Sequence, residues 1–136
     1  MTMRSVVMER DLPHPMDRVW RALTDGSLIQ EWLMDNDFQP VVGHRFTFRI
    51  PPMPHWDGVI DCEVLAVEAP VSLSYSWRAL GLDSRVDWTL AASGAGTRLR
   101  MEQSGFGPGQ DAAFNGATHG WTNFLGKLEG VLADLG

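Results

Sequence analysis

SLSYSWRALGLDSRVDWTLAASGAGTRLRMEQ, residues 72–103, alternates between apolar and polar side chains for most of its length. In Ser72–Arg78, Leu73, Tyr75 and Trp77 point one way, and Ser72, Ser74, Ser76 and Arg78 the other. Ser84–Ala91 sets Val86, Trp88 and Leu90 against Arg85, Asp87 and Thr89. After a turn at Gly94-Ala95-Gly96, Thr97–Gln103 sets Leu99 and Met101 against Arg98, Arg100 and Glu102. A period of two is that of a half-buried strand. Strands at hairpin spacing predict an antiparallel sheet with one dry face and one wet face.

Working back towards the N-terminus, Val59–Glu68 reads as a long strand, semi-apolar on both faces. His44–Ile50 alternates Phe46, Phe48 and Ile50 against Arg45, Thr47 and Arg49. The proline-rich run Pro51–Gly58 between them is a loop. Ser5–Leu12 is a further alternating strand, broken by Pro13-His14-Pro15. Pro15 suits the opening of a helix over Met16–Thr24, with Met16, Val19, Trp20 and Leu23 at helical spacing. Asp25-Gly26-Ser27 is a stop and a restart, with Ser27 as the expected cap of a second short helix ending at Trp32. Working forward, Gly105–Gly109 ends the sheet and one long helix follows. Its apolar seam is Phe114, Ala117, Trp121, Phe124, Leu128, Val131 and Leu135, a strongly amphipathic spacing. Gly116, Gly120, Gly126 and Gly130 interrupt it, each costing about 0.8–1 kcal/mol relative to alanine. Close backbone packing is the default explanation; room for a ligand competes with it. The predicted architecture is α+β: a curved antiparallel sheet of about six to seven strands wrapped around the terminal helix, with two short helices after the first strand.

Composition narrows the function classes. The 136 residues predict one domain spanning residues 1–136. With 11 Lys+Arg against 17 Asp+Glu, the net charge of −6 lacks the basic footprint of a nucleic-acid or anionic-membrane partner. The single cysteine, Cys62, closes no internal disulfide and reads as a small buried hydrophobe. No apolar run reaches a membrane span and Met1–Glu9 has no signal-peptide pattern, so the default address is cytoplasmic. Six Trp, six Phe and seven Met against one Tyr mark an interior of large, soft apolar groups.

Several short motifs carry a resemblance. They are Pro15-Met16-Asp17-Arg18-Val19-Trp20-Arg21-Ala22-Leu23-Thr24-Asp25 with Trp32 seven residues later, Tyr75-Ser76-Trp77, and Gly96-Thr97-Arg98-Leu99. Ser104-Gly105-Phe106, Gly120-Trp121, Phe124-Leu125 and Leu128 complete them. In this order they resemble the helix-grip superfamily of START-like and birch-pollen-allergen-like domains over nearly the whole chain. The branch they are most similar to is named for the activator of the 90-kDa heat-shock protein ATPase. The resemblance implies a helix-grip fold that commonly holds a cavity. Its members include hydrophobic-ligand carriers, polyketide cyclases, self-sacrificing resistance proteins and a co-chaperone domain.

The candidate ligand-binding residues are the large side chains of the inward stripes and of the elements that cover them. They are Trp32, Phe46, Phe48, Trp56, Tyr75, Trp77, Trp88, Met101, Phe106, Phe114 and Trp121. Each either packs or lines a cavity. The Tyr75 hydroxyl either orients a ligand or bonds a neighbouring backbone group. His55 and Asp57 flank Trp56 on the proline-rich loop, with no nucleophile beside them, and read as solvated. Asp35-Asn36-Asp37 reads as a wet turn, with a pocket mouth as the alternative. His14, His44, His55 and His119 lack metal-ligand spacing, and Gly105–Gly109 lacks the Lys-Ser/Thr ending of a phosphate loop. No catalytic residue, metal or cofactor is therefore expected. The expected role is binding of an apolar or aromatic small molecule. A cyclase- or hydrolase-like enzyme on hydrophobic substrates and a stress-related chaperone-regulating protein are the alternatives. A homodimer stays open.

Overall fold

The structure, a computed structural model, describes residues 3–135. Strand β1 (Arg4–Leu12) leads into helices α1 (Met16–Thr24) and α2 (Gly26–Trp32). Strands β2 (Asp35–Asn36), β3 (Arg45–Arg49), β4 (Val59–Glu68), β5 (Ser72–Ala79), β6 (Leu82–Ser93) and β7 (Gly96–Phe106) follow, and helix α3 (Asp111–Leu135) ends the chain. The strands form one curved sheet in the order β1-β7-β6-β5-β4-β3-β2, antiparallel at every neighbour.

The period-two pattern sorts the two faces as expected. Leu73, Tyr75, Trp77, Val86, Trp88, Leu90, Leu99 and Met101 are all buried on the concave face. The convex face carries ion pairs such as Arg98–Asp11, Arg85–Asp87 and Arg78–Asp83. These are exposed, Asp87 alone being half-buried, so each contributes little to stability. The same inward parity buries three polar residues, Thr97, Ser84 and Gln103.

Helix α3 lies across the concave face. It buries Trp121, Leu125, Leu128, Val131 and Leu132. The seam expected from the sequence shares three of these, but Phe114, Ala117, Phe124 and Leu135 are only half-buried. The difference has a physical cause. From Trp121 onward the helix is packed against its neighbours, and its buried stripe runs through Leu125 and Leu132. Ala117 and Phe124 border open space, Phe114 is only partly covered by Phe106, and Leu135 lies in the last turn. Helices α1 and α2 close the other end of the concave face, joined where Trp32 Nε1 donates to the Ala22 carbonyl at 2.9 Å.

Two local expectations are corrected. The α2 cap is Asp25, not Ser27: the helix starts two residues earlier, and the Asp25 carboxylate accepts from the Ser27 backbone N–H at 3.0 Å. The Ser27 hydroxyl also donates to it, and holds the carboxyl below its usual range. Asp35-Asn36-Asp37 is not simply a wet turn. Asp35 and Asn36 form β2, pairing with Arg49 and Phe48, while the Asn36 amide donates to the Gly26 and Met34 carbonyls.

Candidate functional site

A cleft of about 510 Å³ opens where the first half of α3 stands off from the sheet. One wall is helical: Ala113, Gly116, Ala117, Gly120, Trp121 and Phe124. The opposite wall is the β5–β6 hairpin, with Trp77, Ala79, Leu80 and Leu82. Ile60 of β4 and Gln103 of β7 reach it from the sheet, and Met34, Ile50, Met53 and Trp56 complete the rim. None of these residues is ionisable.

The glycines of α3 explain part of the space. A Cβ at Gly116 would meet nothing within 4 Å, and one at Gly120 would meet only Phe124 at 3.7 Å. Close packing, the default explanation, is therefore wrong for both. They widen the cleft. Gly126 and Gly130 also have nothing packed against them, but they do not line it.

The rim loop is built by hydrogen bonds. Met53 N–H donates to the Trp56 carbonyl at 2.7 Å, and Trp56 N–H to the Met53 carbonyl at 3.2 Å. This tight turn sends both side chains to the cleft while His55 stays exposed. Asp57 accepts from the Val59 backbone N–H at 3.0 Å, a structural bond in a solvated turn. Gly58 is required here: its φ is +81°, and a Cβ would lie 2.2 Å from the Ile50 carbonyl oxygen. Across the cleft, Leu80 at the hairpin tip has a φ of +54° and is 66% exposed. A bulky residue in that conformation is uncommon.

The cleft floor holds a polar chain. Trp121 Nε1 donates to Gln103 Oε1 at 2.7 Å. Gln103 Nε2 donates to Ser84 Oγ at 3.0 Å, and Ser84 Oγ donates to the Trp77 carbonyl at 2.8 Å. The indole can only donate, so the order of bonds fixes which end of the amide faces Trp121. Gln103 was legible as an inward residue, because it shares the parity of Leu99 and Met101. Sequence reasoning followed the apolar positions and passed over it.

Of the candidate residues, Trp56, Trp77 and Trp121 line this cleft. Trp32, Phe46, Phe48, Tyr75, Trp88, Met101 and Phe106 do not; they pack in the core. Phe114 lies against Phe106 with the Arg4 guanidinium 4.1 Å above its ring. The buried aromatics form a continuous cluster that meets the cleft at Trp77 and Trp121, whose ring centroids are 5.4 Å apart. The Tyr75 hydroxyl takes neither expected role. It accepts the Trp88 indole N–H at 3.0 Å, and burial pushes its phenol well above the ordinary value. The Cys62 thiol is likewise pushed up by burial. His119 is exposed and near Asn123. Among the described residues no cluster of His, Cys, Asp or Glu could hold a metal ion, and no helix is long and apolar enough to cross a membrane.

A curved antiparallel sheet gripping a terminal helix, with an apolar cleft between them, defines a helix-grip domain. More narrowly, the chain belongs to the family described as Activator of Hsp90 ATPase homolog 1-like protein, whose model matches residues 13–133. Members of this fold family typically bind hydrophobic ligands. Among solved structures the chain is similar to protein MLL2253 from Mesorhizobium loti. The two are 50% identical with a TM-score of 0.89, over 96% of this chain and 98% of that one. It is also similar to CalU16 from Micromonospora echinospora, at 25% identity and a TM-score of 0.80, over 96% of this chain and 76% of that one. DynU16, from the dynemicin biosynthetic locus, is 26% identical with a TM-score of 0.82, over 95% of this chain and 47% of that one. No curated protein matches the chain.

Proposed function

We propose that this chain binds an apolar or aromatic small molecule in the cleft between α3 and the β5–β6 hairpin. The observation that carries this reading is a cleft of about 510 Å³ walled by apolar side chains, glycines and one glutamine, without one ionisable group. Pockets of that chemistry hold ligands by burial and orient them with a few polar atoms. Each Å² of apolar surface removed from water contributes about 25 cal/mol. The family's typical preference for hydrophobic ligands supports the same reading, as does the likeness to a protein of the dynemicin biosynthetic locus.

Binding is favoured over catalysis by where the perturbed groups lie. Asp25, Cys62, Tyr75 and Arg98 have shifted ionisation, and none of them lines the cleft. An acid–base enzyme places such groups in its site. Affinity for a neutral ligand should accordingly be flat across about pH 5–9, since nothing lining the cleft titrates there. The test is native mass spectrometry of freshly purified protein beside its denatured mass, followed by thermal-shift measurement against a panel of apolar compounds. A non-covalent added mass, or saturable stabilisation by a panel member, is the expected result. Folded protein with no added mass and no stabilisation by any compound would overturn the proposal.

A further inference from the structure

Two hydrogen-bond donors on the cleft wall are left without acceptors. Buried indole N–H groups ordinarily find one, and here Trp32, Trp88 and Trp121 do. Trp56, at the rim, donates to the Val59 carbonyl. Trp77 is 9% exposed and its Nε1 has no acceptor among the described residues. Among the described residues no fully buried side-chain nitrogen or oxygen lacks a partner, so this N–H keeps access to open space. Trp77 lines the cleft. The second donor belongs to Gln103, which is 1% exposed. A primary amide has two N–H bonds; one goes to Ser84 and the other has no acceptor among the described residues.

Resting on the binding role above, we propose that the ligand is a neutral apolar molecule bearing an oxygen acceptor, such as a ketone, received by the Trp77 indole N–H and the second amide N–H of Gln103. A bare hydrocarbon would cover the Trp77 N–H without replacing its bond to water and would leave the second Gln103 N–H unpaired, at a desolvation cost. A carboxylate would bring a charge into a cleft that offers no cation to balance it. An uncharged oxygen avoids both penalties. The donors are held in place: Gln103 is clamped between Trp121 and Ser84, and the Trp77 carbonyl accepts from that same Ser84. Trp77 and Gln103 are thus specificity-determining residues that select for ligand chemistry and leave bulk affinity to the apolar walls.

The experiment compares acetylnaphthalene, isopropylnaphthalene and naphthoate, which share a ring system and differ in the group presented. Binding is followed by tryptophan fluorescence. The ketone should bind the wild type roughly three- to ten-fold tighter than the hydrocarbon, the value of one or two neutral hydrogen bonds. Naphthoate should bind more weakly than either. In Trp77→Phe, which keeps a ring and loses the N–H, the ketone-to-hydrocarbon ratio should fall towards one. Gln103→Leu should lower the ratio too, although it also removes the partners of Trp121 and Ser84. A measurement without substitution stands beside it: in nitrogen-15-labelled wild type, the ketone and not the hydrocarbon should shift the Gln103 side-chain amide resonance. Equal affinity for ketone and hydrocarbon, or a ratio unchanged in Trp77→Phe, overturns the inference while leaving the binding role intact. Failure of all three compounds to bind overturns both.

Discussion

Replacing Gly116 with leucine should stabilise this protein while blocking its cleft. Substitution of a glycine inside a long helix commonly removes a residue that close packing demands. Here a Cβ at position 116 would meet nothing within 4 Å. Glycine costs about 0.8–1 kcal/mol relative to alanine in a helix interior, and leucine is nearly as good a helix former as alanine. The added side chain also buries some of its own surface against the cleft. The net expectation is a gain of about 1 kcal/mol, a rise in Tm of about 3–4 °C at this chain length. The same side chain occupies the space between α3 and the hairpin. If it displaces about 100 Å² of apolar ligand contact, the loss is about 2.5 kcal/mol, or roughly sixty-fold in Kd. Thermal unfolding by circular dichroism and titration with acetylnaphthalene measure the two effects on one sample. A higher Tm with unchanged affinity would refute the placement of the ligand. A lower Tm would refute the claim that the glycines of α3 face open space.

Other outcomes separate core from cleft. Tyr75→Phe leaves the buried Trp88 N–H without its acceptor and should cost about 1–3 kcal/mol in chemical denaturation. Affinity in the cleft should be unchanged, because Tyr75 does not line it. Trp77→Ala should cost about 3–5 kcal/mol and also change ligand preference; lost stability with unchanged preference would count against a cleft role for Trp77. Stability should fall at alkaline pH. Cys62 and Tyr75 have folded pKa values raised by burial above ordinary values of 9.0 and 10.0. The unfolded chain therefore releases these protons first, and stability, fully present below about pH 9, declines above it. The slope is about 1.4 kcal/mol per pH unit for each group once its unfolded form has ionised. Urea denaturation across pH 8–11, with Tyr75→Phe and Cys62→Ala as controls, should show the steepening and its loss.

Much of the fold was legible because alternation and helical spacing report which face is dry. Leu73, Tyr75 and Trp77 all point inward for that reason. Parity says nothing of where along a strand the covering helix departs. Trp77 and Trp88 share the inward face, yet Trp77 stands near the open end beside the hairpin turn and Trp88 lies sealed beneath Trp32 and Trp121. So the eleven candidate residues were inward or covering groups, and only a three-dimensional arrangement could divide cleft from core. Strand β2 is two residues long, too short to show any period. Gln103 and Ser84 were readable by parity, but nothing in the sequence showed that their side chains meet across the β6–β7 pair. The open space at Gly116 and Gly120 depends on what is absent from the facing hairpin, which a helix's own sequence does not record.

The central claim is that the cleft under the first half of α3 is where an apolar ligand sits. Methionines provide the most direct reading, because Met34 and Met53 line the cleft, while Met8 and Met16 lie outside it. Methyl NMR of methionine-labelled protein during titration with acetylnaphthalene should show ring-current shifts at Met34 and Met53 that saturate together. Met8 and Met16 should stay in place. Shifts at Met8 or Met16 with Met34 and Met53 unmoved would put the ligand elsewhere and contradict the account.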